Sequence, residues 1–159
     1  MKRLLLTLVL ALGTTILFAQ KKIVFKEYKG KVLCVKHPDK LVPNQQSSSE
    51  GQGFSYGKGY DSFMLIGRNS RMGYYTLESL YKRSLTNAGE VTYKKMDKQA
   101  QSYVVEGKYG KGEFLRFYHI KTVVKDKYYY KLTITYVVKD ADYFKQVIKP
   151  ISESFMKCE

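Results

Sequence analysis

Acidic residues, histidine and cysteine are all scarce in this chain, and each shortage removes a class of function. Two cysteines, Cys34 and Cys158, and two histidines, His37 and His119, stand among 159 residues. They give no CxxC pair and no run of ligands at zinc-site spacing, so no metal centre is expected. His37 precedes a proline at a strand end and His119 falls inside an extended segment, so both read as structural or surface residues. A phosphate loop ending in Gly-Lys-Ser/Thr is missing too; Gly57 and Gly59 fit a hairpin turn, where glycine supplies positive φ.

The letters of a nucleophile elbow do occur, in "GFSYG" around Ser55. That motif requires strand, sharp turn and helix, with Asp and His following in order. Ser55 instead lies within or beside a strand, and a turn and a second strand follow. Glu106 and Glu113 flank the "GKYGKG" turn and read as solvated hairpin charges. No constellation is left for a lid to close over, so neither catalysis nor a cofactor is expected.

The 14 acidic residues face 28 basic ones, a formal charge of +14. That excess bears on solubility and on association with acidic surfaces, and says nothing about fold. Residues 94–131 hold ten Lys or Arg against four Asp or Glu.

The first segment, "MKRLLLTLVLALGTTILFAQ", runs from Lys2 and Arg3 through an apolar stretch to Ala19. This is the order of charge, apolar core and small residue found in a secretory signal peptide, and the apolar stretch is short for a membrane span. Residues 1–19 are therefore expected to be a cleaved signal, with one domain over residues 20–159. The expected location is the periplasm of a bacterium, or full secretion. No cysteine ends the apolar stretch, so lipid attachment there is not expected. In an oxidising compartment Cys34 and Cys158 can form one disulfide joining the first strands to the last helix; two free thiols are the alternative.

Along the mature chain, "KKIVFKEYKGKVLCVKHP" reads as two strands around Lys29 and Gly30. Residues 38–53 hold two prolines, three serines and two glycines and read as a surface loop. The next extended pair turns at Gly57-Lys58-Gly59. "TLESLYKRSLTNAG" is the clearest helix: Thr76 caps it, Leu77, Leu80, Tyr81, Ser84, Leu85 and Ala88 make its stripe, and Gly89 stops it. Lys82 and Arg83 fall off that stripe. Four extended segments follow, at 91–97, 103–109, 113–124 and 128–138. A second helix begins near Asp140, with Tyr143, Phe144, Val147, Ile148, Ile151 and Phe155 on one face and a kink expected at Pro150.

In "KYYYKLTITYVVKD", Tyr128, Tyr130, Leu132, Ile134, Tyr136 and Val138 share one face of a strand. These rings are expected to cover or enter a core rather than to stack on nucleic acid. A three-residue turn at 125–127 would match like with like across the hairpin, with Lys121 opposite Lys131 and His119 and Lys125 nearby. His119, Lys121, Lys125 and Lys131 are thus the candidate basic binding face.

The run of "VKHPDKLV", "GQGFSYGKGYDSFMLIG", "YYTLESLYKRSL", "VTYKKM", "SYVVEGK", "FLRFYHIK", "YYYKLTITYV" and "VIKPISESF" resembles the extracytoplasmic PsbP-like domains of the PsbP/Mog1 superfamily. The resemblance covers nearly all of the mature chain. It implies a single α+β domain, an antiparallel β-sheet flanked by helices. It also implies an accessory or partner-binding role, as in the extrinsic photosystem subunits and a binder of a small nuclear GTPase, although no residues here match either partner's site. The expected function is an exported non-catalytic domain that binds a partner protein in the cell envelope. The alternative is a basic module for lipopolysaccharide, acidic glycan or extracellular nucleic acid, with nucleic acid the least favoured. Membrane association, if any, is expected to be peripheral.

Overall fold

The computed structural model describes residues 22–44, 50–57, 61–70, 75–87 and 89–157. The expected signal peptide lies outside them. Among the described residues nine strands form in chain order: β1 (Phe25–Lys29), β2 (Cys34–Pro38), β3 (Leu41–Pro43), β4 (Gly51–Tyr56), β5 (Ser62–Ser70), β6 (Glu90–Asp97), β7 (Ser102–Tyr109), β8 (Arg116–Lys125) and β9 (Tyr128–Val137). Two helices of the described residues join them, α1 (Leu77–Thr86) and α2 (Ala141–Ser154). Short 3-10 turns at Gly112–Phe114 and Val138–Asp140 lead into β8 and α2.

β1 and β2 make a separate hairpin. The other seven strands form one antiparallel sheet in the order β3-β4-β5-β9-β8-β7-β6. This is the α+β architecture expected from the sequence. Because α1 carries the chain from β5 to the far edge, the next four strands return by hairpins until β9 lies beside β5.

Both faces of the sheet are covered, each by its own apolar cluster. On one face, Phe144, Val147, Ile151 and Phe155 of α2 and its end pack with Leu33 and Val35 of the small hairpin onto Phe54, Met64, Ile66, Tyr130, Leu132 and Ile134. On the other, Leu77 and Leu80 of α1 pack onto Tyr103, Val105, Tyr118 and Val124. Full burial of such side chains stabilises by roughly 1.5–3 kcal/mol each, so these two stripes account for the placement of both helices. Thr76 caps α1 as expected, its Oγ1 accepting from the Ser79 amide at 3.1 Å. α2 runs on through Pro150 to Ser154.

Two expectations are corrected here. The 38–53 segment is not simply loop: Leu41–Pro43 is the edge strand β3 and Gly51–Gly53 begins β4, while residues 45–49 lie outside the described residues. Leu41 is fully buried, and Pro43 is tolerated because β3 pairs on one side only. The second correction is the β8–β9 register. Lys125 pairs with Tyr128, leaving a two-residue turn with Asp126 at φ 52°. His119 therefore faces Ile134, Lys121 faces Leu132, and Thr122 faces Lys131. Matching like with like assumed one wet face, whereas here each face has a helix over it and mixes polar with apolar residues.

The tyrosine-rich strand does what its pattern implied. Tyr130 is buried, and the Tyr136 ring stacks on Phe144 at 4.9 Å and on Phe117 at 5.3 Å between centroids.

Cys34 is buried and disulfide-bonded. Cys158, the only other cysteine in the sequence, lies outside the described residues, so we propose it as the partner. The Met156 amide donates to the Cys34 carbonyl at 3.1 Å, which brings the chain end beside β2 two residues before Cys158. Peptide mapping without reductant is expected to show Cys34 linked to Cys158. Reduction is expected to cost about 2 to 3 kcal/mol, read as a lower Tm.

Candidate functional site

Polar groups inside this fold gather at three places: under the end of α2, under α1, and at the end of the sheet where β7 turns into β8. The first contains two of the expected site residues, His119 and Lys121. His119 sits on β8 facing α2 and is only 4% exposed. Its Nδ1 lies 2.7 Å from Glu106 Oε1, directly across on β7, and its Nε2 lies 2.9 Å from Ser152 Oγ in the last turn of α2. In the neutral ring the carboxylate selects the Nδ1–H tautomer, and Nε2 accepts from the Ser152 hydroxyl.

These are the distances of a Ser-His-acid triad. A catalytic triad also needs substrate at the serine, and Ser152 is 8% exposed within the helix. The adjacent cleft, about 300 Å3, is lined by Glu106, Phe117, His119 and Tyr136 with Lys145, Ile148 and Lys149 of α2, on the carboxylate side of the ring. Lys121 completes the arrangement by donating its Nζ to the Ser152 carbonyl, one of the α2 carbonyls that has no acceptor role within the helix. A cation at a helix C-terminus is favoured by the helix dipole. Burial pushes the Lys121 ammonium down from its ordinary pKa, Lys157 adding to this and Glu153 opposing it. The group thus clasps the end of α2 to the sheet.

The expected solvated role of Glu106 is accordingly corrected, since its carboxylate holds a buried histidine. His37 is also buried, with Nδ1 3.1 Å from the Pro38 carbonyl and its ring 4.7 Å from that of Phe54. Ser55 lies in β4 and donates to Asn44 Oδ1 at 2.6 Å, so the elbow-like letters sit on a strand. Among the described residues, no group of three or more His, Cys, Asp or Glu is placed to hold a metal ion.

The four candidates for a basic face do not share one. His119, Lys121 and Lys125 lie on the α2 side of the sheet, and Lys131 on the α1 side. His119 and Lys121 are engaged in the clasp, while Lys125 is exposed at the turn.

The third place was not legible as a site. In the Gly112–Phe114 turn Phe114 is 72% exposed, and across from it Val138 is 54% exposed. Between them lies a cleft of about 600 Å3 lined by Asp61, Gly112, Glu113, Phe114, Arg116, Val137, Val138 and Lys139. Its floor is fixed by charge: Arg116 donates to the Asp61 backbone carbonyl and pairs with its carboxylate at 3.6 Å, which Lys139 approaches at 3.3 Å. Most of the cleft wall is apolar while its ends are charged. That is the make-up of a recognition surface rather than of a reaction centre.

No family model matches the sequence, and no curated protein matches it. Its likeness to known proteins is one of fold. Cyanobacterial PsbP (CyanoP) from Synechocystis superposes with a TM-score of 0.58 at 11% identity, over 86% of this chain and 94% of that one. The Saccharomyces cerevisiae Ran-binding protein Mog1p gives 0.61 at 7% identity, over 84% and 95%. LpqN, involved in cell envelope biogenesis of Mycobacterium tuberculosis, gives 0.54 at 15% identity, over 84% and 90%. At such identities the likeness speaks for fold alone: the chain folds as a PsbP-like α+β domain of the PsbP/Mog1 type.

Proposed function

We propose that this chain is an exported, non-catalytic domain of the cell envelope that binds a protein partner through the cleft beside Phe114. The observation that carries the reading is Phe114 itself, a large apolar ring 72% exposed on a short, hydrogen-bonded turn. Aromatic side chains held out on rigid backbone are the usual anchors of protein interfaces. The sequence of residues 1–19 supports export. Two fold neighbours support the rest: Mog1p is described as Ran-binding, and LpqN as involved in cell envelope biogenesis. Among the described residues no helix is long and apolar enough to cross a membrane.

The partner fitting this cleft presents an apolar side chain to Phe114 and Val138. The charges of the lining balance, Asp61 and Glu113 against Arg116 and Lys139, and Asp61 pairs with both cations. Phe114→Ala is expected to leave the Tm unchanged within about 0.5 kcal/mol, since an exposed ring contributes little to the fold. The same substitution is expected to weaken partner binding by about 2 kcal/mol, near thirtyfold in Kd. Capture from native envelopes with wild type, Phe114→Ala and Lys125→Ala in parallel reads this. A protein held by wild type and Lys125→Ala but released from Phe114→Ala supports the reading; equal retention by all three contradicts it.

A further inference from the structure

Lys131, which the sequence placed on a surface beside Lys121, lies instead under α1. Its cross-strand neighbours in the sheet are Thr122 on β8 and Gly67 on β5. Gly67 contributes no side chain, so space remains above the strand. Leu80, Arg83 and Ser84 of α1 and the Asn87 that caps it lie over the strand, and with Tyr103, Ile120, Tyr129 and Lys131 they line an open cleft of about 320 Å3.

The polar groups of this cleft are unbalanced. Among the described residues the Lys131 ammonium makes no hydrogen bond and no ion pair, and the charged group acting on it is a second cation, Arg83. A half-buried ammonium left without a counter-charge is costly. Arg83 spends one N–H on the Tyr75 hydroxyl at 3.0 Å, and its guanidinium has further donors to offer. Thr122, the cross-strand neighbour of Lys131, is fully buried behind the lining and offers a ligand no contact. Ser84 and Asn87 add polar groups to the rim, and Leu80, Ile120, Tyr129 and Tyr103, whose hydroxyl meets Ser84 at 2.8 Å, supply the apolar and aromatic part of the wall.

Two cations without an acid, set beside two tyrosines, ask for one kind of occupant. We propose that the cleft between α1 and the sheet binds a small organic phosphate monoester, its phosphoryl group between Lys131 and Arg83 and its apolar part against Tyr129 and Ile120. Arginine beside lysine suits a tetrahedral oxyanion, which takes several charge-assisted hydrogen bonds at once. The volume matches the lower end of small-molecule sites, so the ligand is about the size of one ring with its phosphate. Burial pushes the Lys131 ammonium down from its ordinary pKa and Arg83 pushes it the same way, and a bound oxyanion reverses both effects. The site shares no lining residue with the Phe114 cleft, although both touch β8 and β9.

Phenyl phosphate and inorganic phosphate serve as probes, titrated into the mature protein and followed by amide chemical shifts. Phenyl phosphate is expected to bind saturably and at least tenfold more tightly than inorganic phosphate. The shifts are expected at Tyr103, Tyr129 and Lys131, and not at Phe114 or Val138. Lys131→Met is expected to weaken binding at least tenfold while the Tm stays level or rises, because a partnerless ammonium is removed. Arg83→Met, at an exposed helix position, is expected to weaken it several-fold and provides the test should Lys131→Met fold poorly. Lys125→Met is expected to change nothing. Unsaturable shifts, or equal loss in Lys125→Met and either cleft variant, would overturn the proposal.

Discussion

Replacing Gly107 with alanine is expected to cost about 4 kcal/mol or more, enough to leave much of the purified domain unfolded in mild urea. A Cβ at this position would stand 2.1 Å from the Glu90 carbonyl oxygen and 2.2 Å from the Tyr118 hydroxyl. The first atom belongs to the backbone of β6, an edge strand whose pairing already shifts register between Val91 and Tyr93. The second belongs to a buried ring that uses the space a side chain would fill. Neither can move without opening the cluster that holds α1, so overpacking here goes beyond the usual 1–3 kcal/mol. Tyr118→Phe separates the two clashes. Among the described residues the Tyr118 hydroxyl has no hydrogen-bond partner, so its removal alone is expected to be near neutral. Gly107→Ala combined with Tyr118→Phe is expected to recover only part of the loss, because the β6 carbonyl remains. Urea midpoints read all three variants, and a Gly107→Ala midpoint equal to wild type contradicts this packing account.

His119→Ala is the second large effect expected, a loss of about 3 kcal/mol. The imidazole is buried between β7 and α2, and its removal leaves a cavity together with a buried hydroxyl that has lost its partner. Ser152→Ala removes one hydrogen bond and is expected to cost about 1 kcal/mol. The double variant is expected to cost less than the sum, with a coupling of about 1 kcal/mol, because the two residues share one contact. A clasp and a catalytic triad differ in their readouts. If the group is a clasp, wild type shows no turnover of simple esters, and the variants differ in Tm and urea midpoint alone. Ester hydrolysis by wild type, lost in Ser152→Ala at unchanged stability, would identify a triad instead.

How much of this was legible in the sequence depends on whether an element announces itself locally. α1 does so through Thr76 and the Leu77, Leu80 and Leu85 spacing, and α2 through Phe144, Val147 and Ile151. The antiparallel order followed from short turns between β-branched and aromatic segments. The β8–β9 register did not, because alternation identifies an inner face only when the other is wet. Here Lys121 and His119 point towards a helix whose Ser152 satisfies them. The Glu106–His119–Ser152 group spans 13 and then 33 residues and comes together only once the β7–β8 pairing and the seat of α2 are known. Its one sequence signal was a serine beside the apolar stripe of α2, at a position the stripe did not need. Phe114 was legible as an apolar residue after a glycine turn, but its exposure depends on which strands flank that turn. The expected basic face of His119, Lys121, Lys125 and Lys131 does not form for the same reason as the register: a slip of one residue sends Lys131 to the opposite side of the sheet.

The most direct test of partner binding through the Phe114 cleft is site-specific crosslinking in the native envelope, with a photoactivatable phenylalanine analogue at position 114. Position 42, where Val42 is exposed on an edge strand, and position 93, where Tyr93 is exposed on the other edge, serve as controls. A single protein adduct from position 114, retained at high salt and missing from positions 42 and 93, is the expected result. Equal and diffuse adducts from all three positions would contradict the assignment of this cleft as the docking surface.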